Sequence, residues 1–171
     1  TYFILFLNDE LGVPVIVAGG MLALLQVSNI VMRIAWGVIS DTLARGRRKP
    51  VLYLSGLITA LVLSIMALLP EGTPYWALVV MAIALGGTVT SWVSVHAVLL
   101  SELADREQVG TTIGYASTVS RTGIVVAPPL FGLLADAASY QTAWLALVGA
   151  ILVGLLLLIP VHERKRVDAP A

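Results

Sequence analysis

Long apolar runs separated by short polar breaks set the layout of this chain. Five stretches are long and apolar enough to span a bilayer as helices, at roughly 13–40, 51–69, 75–100, 109–135 and 142–161. The breaks carry residues that end helices or prefer water: PEGTP at 70–74, the charged SELADREQ at 101–108, and the small, polar DAASY at 136–140. Apolar residues run continuously rather than alternating with polar ones, so the pattern predicts helices and argues against a β-barrel. A sixth run, TYFILFL, reaches Asn8 after seven residues. That is too short to cross and lacks the basic flank and cleavage site of a signal peptide. It is expected to be the tail of a helix whose start lies outside this chain. The predicted fold class is therefore an all-α membrane protein: a polytopic helical bundle of five complete transmembrane helices and an N-terminal helix stub.

Composition points the same way. Apolar residues make up 58% of the 171 and charged residues 12%, with a mean hydropathy of +0.95. Soluble domains sit nearer 45–50% and about 25%, and a domain of this size has no interior for the surplus. There are no cysteines, which removes disulfides, thiolate metal sites and cysteine nucleophiles together. Zero net charge gives no case for nucleic acid, and no metal or cofactor is expected.

Charge placement orients the spans. Arg45, Arg47, Arg48 and Lys49 fall in the first full loop (41–50), Arg106 in the third, and Arg164, Lys165 and Arg166 in the tail (162–171). The breaks at 8–12, PEGTP and DAASY carry no Lys or Arg. Strict alternation puts all the basic segments on one side, and the positive-inside rule makes that side, with the C-terminus, cytoplasmic. The expected location is the plasma (inner) membrane.

Two cations remain, Arg33 and Arg121, and both lie within spans. Each costs about 2.5–3.5 kcal/mol to insert on translocon scales, so an intramembrane arginine points to a polar interior and a function. Arg33 stands eight residues before Asp41, about 12 Å along a helix, and Arg121 lies about 18 Å into its own span. Gln26, Asn29 and Arg33 share one helix face, as do Ser117 (or Thr118) and Arg121. The third span adds Thr88, Ser91, Trp92 and His96. These three spans are expected to line a wet interior, whereas the second and fifth are expected to face lipid. The arginines fit either a helix-locking role or a shared anion site. His96 fits either packing or proton coupling. Gly110 and Gly114 suggest close helix packing, and Pro128-Pro129 a bend in the fourth span.

The stretch GVISDTLARGRRKPVL resembles the loop motif of the major facilitator superfamily, with Gly37, Asp41, Gly46, Arg47 and Arg48 at the matching places. Glu102, Gly110, Gly114 and GIVVAPPLFGLLADAASYQTAWL resemble the last three helices of such carriers. The loop departs from the family pattern: Thr42 follows Asp41 where a basic residue is usual, and Gly46 comes five residues after it rather than three.

The resemblance implies the C-terminal six-helix half of a twelve-helix secondary carrier, its first helix truncated and its N-terminal half missing. It also implies a cytoplasmic latch, expected between Asp41 and Arg47 with Glu102 as a local partner. The expected function is alternating-access transport of a small organic anion such as a carboxylate, bound by Arg33, Arg121, Asn29, Gln26 and Ser117. The coupling ion, proton or counter-substrate, is left open. Proton-coupled efflux of drugs or metabolites is the alternative, although these spans carry no intramembrane acid. A non-transporting sensor or scaffold leaves the two arginines unexplained. An intramembrane enzyme lacks paired acids, a metal cluster and a Ser–His pair, so no catalytic residues are assigned.

Overall fold

The computed structural model describes residues 2–44, 47–89, 93–104 and 107–161, and these are helical without any strand. The elements are α1 (Tyr2–Asp9), α2 (Val15–Thr42), α3 (Lys49–Ala67), α4 (Tyr75–Thr88), α5 (Val93–Leu103), α6 (Val109–Ala137) and α7 (Tyr140–Leu157). The stretch Tyr75–Leu103, which holds α4 and α5, counts with α2, α3, α6 and α7 as five segments long and apolar enough to cross a membrane. Their ends match the sequence reading to within a few residues. Ser91 and Trp92, with Arg45, Gly46, Arg106 and the tail from 162, lie outside the described residues.

Local chemistry sets the boundaries. Gly12 adopts a positive φ of 64°, and Pro14 (φ −53°, ψ 137°) holds the chain extended just before α2. Asn8 Nδ2 donates to Val13 O at 3.0 Å and closes that turn. Pro50 falls in the first turn of α3, where a missing N–H costs nothing. Gly72 (φ 80°) turns the chain ahead of α4. Ser139 caps α7 by accepting from the Thr142 N–H at 3.1 Å.

Small residues decide how closely the helices approach. The tightest seam joins α2 and α4. A Cβ added to Gly86 would meet the backbone of Leu25, 2.9 Å from its carbonyl carbon and nearer still to its oxygen. Across the same seam Ser28 Oγ donates to Ile83 O, and the buried Trp36 Nε1 donates to Gly87 O, both at 2.7 Å. A second seam joins α3 and α7, where Gly56 lies under Leu155 and the Tyr53 hydroxyl donates to Leu155 O at 2.9 Å. Helix α4 also packs on α3, α7 on α6, and α5 on α2, α3 and α6.

Two apolar clusters form, one toward each end. The larger gathers Phe3, Phe6, Leu7, Met66, Leu78 and Phe131 beside the α1–α2 turn and PEGTP. The smaller holds Trp36, Val51, Leu52, Val95 and Leu99 beside the basic loop. Lys49 ties that end together, donating to Ile159 O at 2.6 Å and Val161 O at 2.8 Å. It places a cation on carbonyls just past the C-terminal end of α7, where the helix dipole favours one.

Two expectations about helix faces need correction. The second span, α3, was expected to lie outside against lipid, yet half of its most apolar window is buried because α4 and α7 flank it. What faces outward is a single stripe of Leu54, Leu57, Leu61 and Ile65. The glycines of the GxxxG pair, Gly110 and Gly114, have nothing within 4 Å of an added Cβ, so they mediate no close packing among the described residues.

Candidate functional site

Three helix ends converge on one guanidinium. Asp41 stands in the last turn of α2, Glu102 in the last turn of α5, and Arg48 immediately before α3. A carboxylate at a helix C-terminus opposes the helix dipole, so both acids call for a nearby cation. Arg48 supplies it: Nη1 donates to Asp41 Oδ1 at 2.6 Å and to Ser40 Oγ at 2.8 Å. Nε and Nη2 reach Glu102 Oε1 at 3.4 and 3.3 Å. The Arg48 side chain is 8% exposed, against 60% for Asp41 and 38% for Glu102. Burial works against its charge, but hydrogen bonds and charge attraction from Asp41 and Glu102 outweigh that, so Arg48 is held above its ordinary pKa.

This corrects the expected pairing of Asp41 with Arg47. Arg47 is exposed and makes no ion pair among the described residues, while its neighbour turns inward. Arg48 holds the N-cap position of α3 and is buried against Ser40, whereas Arg47, one residue earlier, is exposed. Gly46 lies outside the described residues, and the space beside Gly37 is open. Sequence reasoning missed Ser40, whose hydroxyl completes the Arg48 shell. It also missed Lys49, whose carbonyl partners just past α7 stand more than a hundred positions away.

The mid-span polar residues are arranged differently. Gln26 and Arg33 on α2 are exposed, as are Ser117 and Arg121 on α6. Neither arginine makes an ion pair among the described residues. Helix α5 packs against both α2 and α6, with Ser94 Oγ 3.4 Å from Arg33 O, so it stands between the helices that carry the arginines. Asn29 is half-buried, with its Oδ1 buried and without a hydrogen-bond partner among the described residues. From Ser117 to Leu130 every residue of α6 is exposed.

His96 stands apart from this face. It lines a cavity of about 700 Å³ bounded chiefly by α3 and α7 and by residues of α2 and α4, together with Leu52, Ser55, Thr59 and Leu155. None of Gln26, Arg33, Ser117 or Arg121 lines that cavity.

The family model described as Major Facilitator Superfamily matches residues 1–171. An uncharacterized MFS-type transporter of Mycobacterium tuberculosis (strain H37Rv) is 29% identical over 162 residues, covering 95% of this chain and 36% of that protein. Monocarboxylate transporter 13 of Rattus norvegicus is 28% identical over 167 residues, covering 93% of this chain and 38% of that protein. The chain thus spans little more than a third of the length of these relatives. No solved structure matches it.

Proposed function

We propose that this chain, which belongs to the major facilitator superfamily, is the C-terminal transmembrane half of a secondary carrier for a small organic anion such as a carboxylate. The observation that carries the reading is the pair of exposed mid-span arginines, Arg33 and Arg121, on two helices that flank α5 with no acid paired to either among the described residues. Such a cation within a span is costly unless it faces a polar interior, and its guanidinium fork matches a carboxylate. Gln26, Asn29 and Ser117 share those faces and supply neutral hydrogen-bonding groups around the anion. The name of the rat relative, a monocarboxylate transporter, supports the same substrate class.

Transport in this reading is alternating access, with two halves rocking about a central site. The Arg48 cluster is the cytoplasmic latch: it ties α2, α3 and α5 while the site opens outward. The exposed faces of α2 and α6 meet the other half, the carrier resides in the plasma membrane, and its C-terminus is cytoplasmic.

The test is a thermal-shift series on the full-length polypeptide in detergent, with small carboxylates and lipophilic cations, in wild type and Arg121→Gln. A ligand at one hundred times its Kd raises stability by about 2.7 kcal/mol. Stabilisation of wild type by a carboxylate, lost in Arg121→Gln, is the expected result. Stabilisation by cations alone, unchanged in the variant, refutes the anion reading and favours efflux.

A further inference from the structure

The seam between α3 and α7 encloses more than packing requires. Its cavity of about 700 Å³ is walled on α3 by Leu52, Ser55, Thr59 and Leu63, and on α7 by residues from Trp144 to Leu158. Ser55 Oγ donates to Leu52 O at 3.1 Å and Thr59 Oγ1 to Ser55 O at 2.8 Å, so both hydroxyl hydrogens are engaged within their own helix. Phe3, Leu25, Leu85 and Val89 close the rest, so apart from the His96 imidazole the wall is nearly all hydrocarbon. Fourteen positions separate Trp144 from Leu158, about 21 Å of helix, so the lining runs along most of α7 and leaves room for a hydrocarbon chain.

The slot has a mouth and a charged end. Ala150 and Gly154, one turn apart on α7, line it and are exposed, and a Cβ added to Gly154 meets nothing within 4 Å. The α7 wall is open where side chains are smallest, and outside a membrane span lies lipid. At the other end, Lys49 continues the α3 lining stripe one turn before Leu52. Its Nζ lies against Ile159 O and Val161 O, just beyond the last α7 lining residue, Leu158. Exposed Arg47 is two residues away.

We infer that the α3–α7 slot binds one acyl chain of an anionic phospholipid, with its headgroup phosphate at Lys49. A hydrocarbon slot capped by a cation on the basic side of the protein complements an amphiphile with an apolar tail and an anionic head. The site is separate from the proposed transport site, because none of Gln26, Arg33, Ser117 or Arg121 lines it.

Native mass spectrometry of the full-length polypeptide, titrated with phosphatidylglycerol or phosphatidylcholine of the same chains, tests the site. Wild type is expected to retain phosphatidylglycerol about fivefold better, the value of one cation near an anionic lipid. Lys49→Gln removes that preference and leaves phosphatidylcholine binding in place. Gly154→Leu puts a side chain into the slot and weakens both lipids by at least about fourfold, as expected for displacing one methylene. Ala150→Leu fills the same mouth and replaces it should Gly154→Leu fail to fold. Equal retention of the two lipids by wild type overturns the inference. So does undiminished lipid binding in the filled-slot variant. Displacement of phosphatidylglycerol by inorganic phosphate alone also overturns it, because it reveals a free-anion site without a chain.

Discussion

Gly86→Ala tests how the α2–α4 seam is held. The new methyl carbon would lie 2.9 Å from Leu25 C and 3.0 Å from Leu25 Cα, and it would press harder still on the carbonyl oxygen. The obstacle is backbone, so no rotamer change relieves it. Restoring a carbon–carbon separation of about 3.5 Å alone requires the helices to part by roughly 0.6 Å, and clearing the carbonyl oxygen requires more. Two hydrogen bonds straddle that seam at 2.7 Å, from Ser28 to Ile83 O and from Trp36 to Gly87 O. Each would stretch to at least about 3.3 Å, past the usual range for such bonds.

Overpacking costs about 1–3 kcal/mol, and interhelical hydrogen bonds within membranes average about 0.6 kcal/mol each. The expected destabilisation is therefore about 2–4 kcal/mol. Reversible unfolding of the purified full-length polypeptide in mixed micelles measures it. Gly154→Ala, where an added Cβ meets nothing, is the control and should be neutral or stabilising by up to about 1 kcal/mol through helix propensity. Equal stability of Gly86→Ala and the control would show that the seam does not depend on this close approach.

Further predictions concern the other contacts. Gly56→Ala should cost less than Gly86→Ala, about 1 kcal/mol in the same assay, because its obstacle is the flexible end of Leu155 at 2.7 Å. A larger loss than Gly86→Ala would refute the ranking. Arg48→Lys keeps the charge but cannot reach Asp41 and Glu102 together, so it should lose about 1–2 kcal/mol. Full rescue by lysine would make the fork geometry irrelevant. Because the Arg48 pKa is raised in the fold, its contribution is fully present below the ordinary arginine value and is lost only as pH rises through the higher folded one. The stability difference between wild type and Arg48→Gln should therefore stay constant from about pH 7 to 10, well below the titration of arginine. A difference that falls across that window would contradict the assignment. Tyr140→Phe removes the 3.2 Å hydrogen bond to Asp9 Oδ2 and should cost about 0.5–1 kcal/mol. No change in unfolding would show that the α1 contact contributes nothing there.

Span number, span limits and the all-helical class were readable from the sequence because each depends on local facts. A run such as VLYLSGLITALVLSIMALL is apolar wherever it lies, and Pro14, Pro50 and Gly72 mark ends by their own backbone preferences. What faces what was harder. Polarity alone assigned α3 to lipid, but burial of Ser55 and Thr59 follows from neighbours that arrive from elsewhere in the chain. The Arg48 cluster was legible down to Asp41 and Glu102. The choice of Arg48 over Arg47 depends on which side chain is buried where α3 begins, which no motif encodes. Lys49 and the carbonyls just past α7 are tied by a contact between distant segments, and nothing near either one signals the other.

Helix α6 carries a mechanical consequence. Its one buried side chain, Phe131, is wedged among Tyr2, Tyr140 and Trp144, with ring centroids 4.9–6.4 Å apart. Immediately before that anchor come Pro128 and Pro129, which offer no N–H to the carbonyls of Ile124 and Val125. Flexing the helix at this level therefore breaks two fewer backbone hydrogen bonds than flexing it elsewhere. On the far side lies the unburied run from Ser117, which includes Arg121. The aromatic nest is a fulcrum and the arginine rides on the lever arm, so a small tilt at the prolines becomes a larger sweep of the charge.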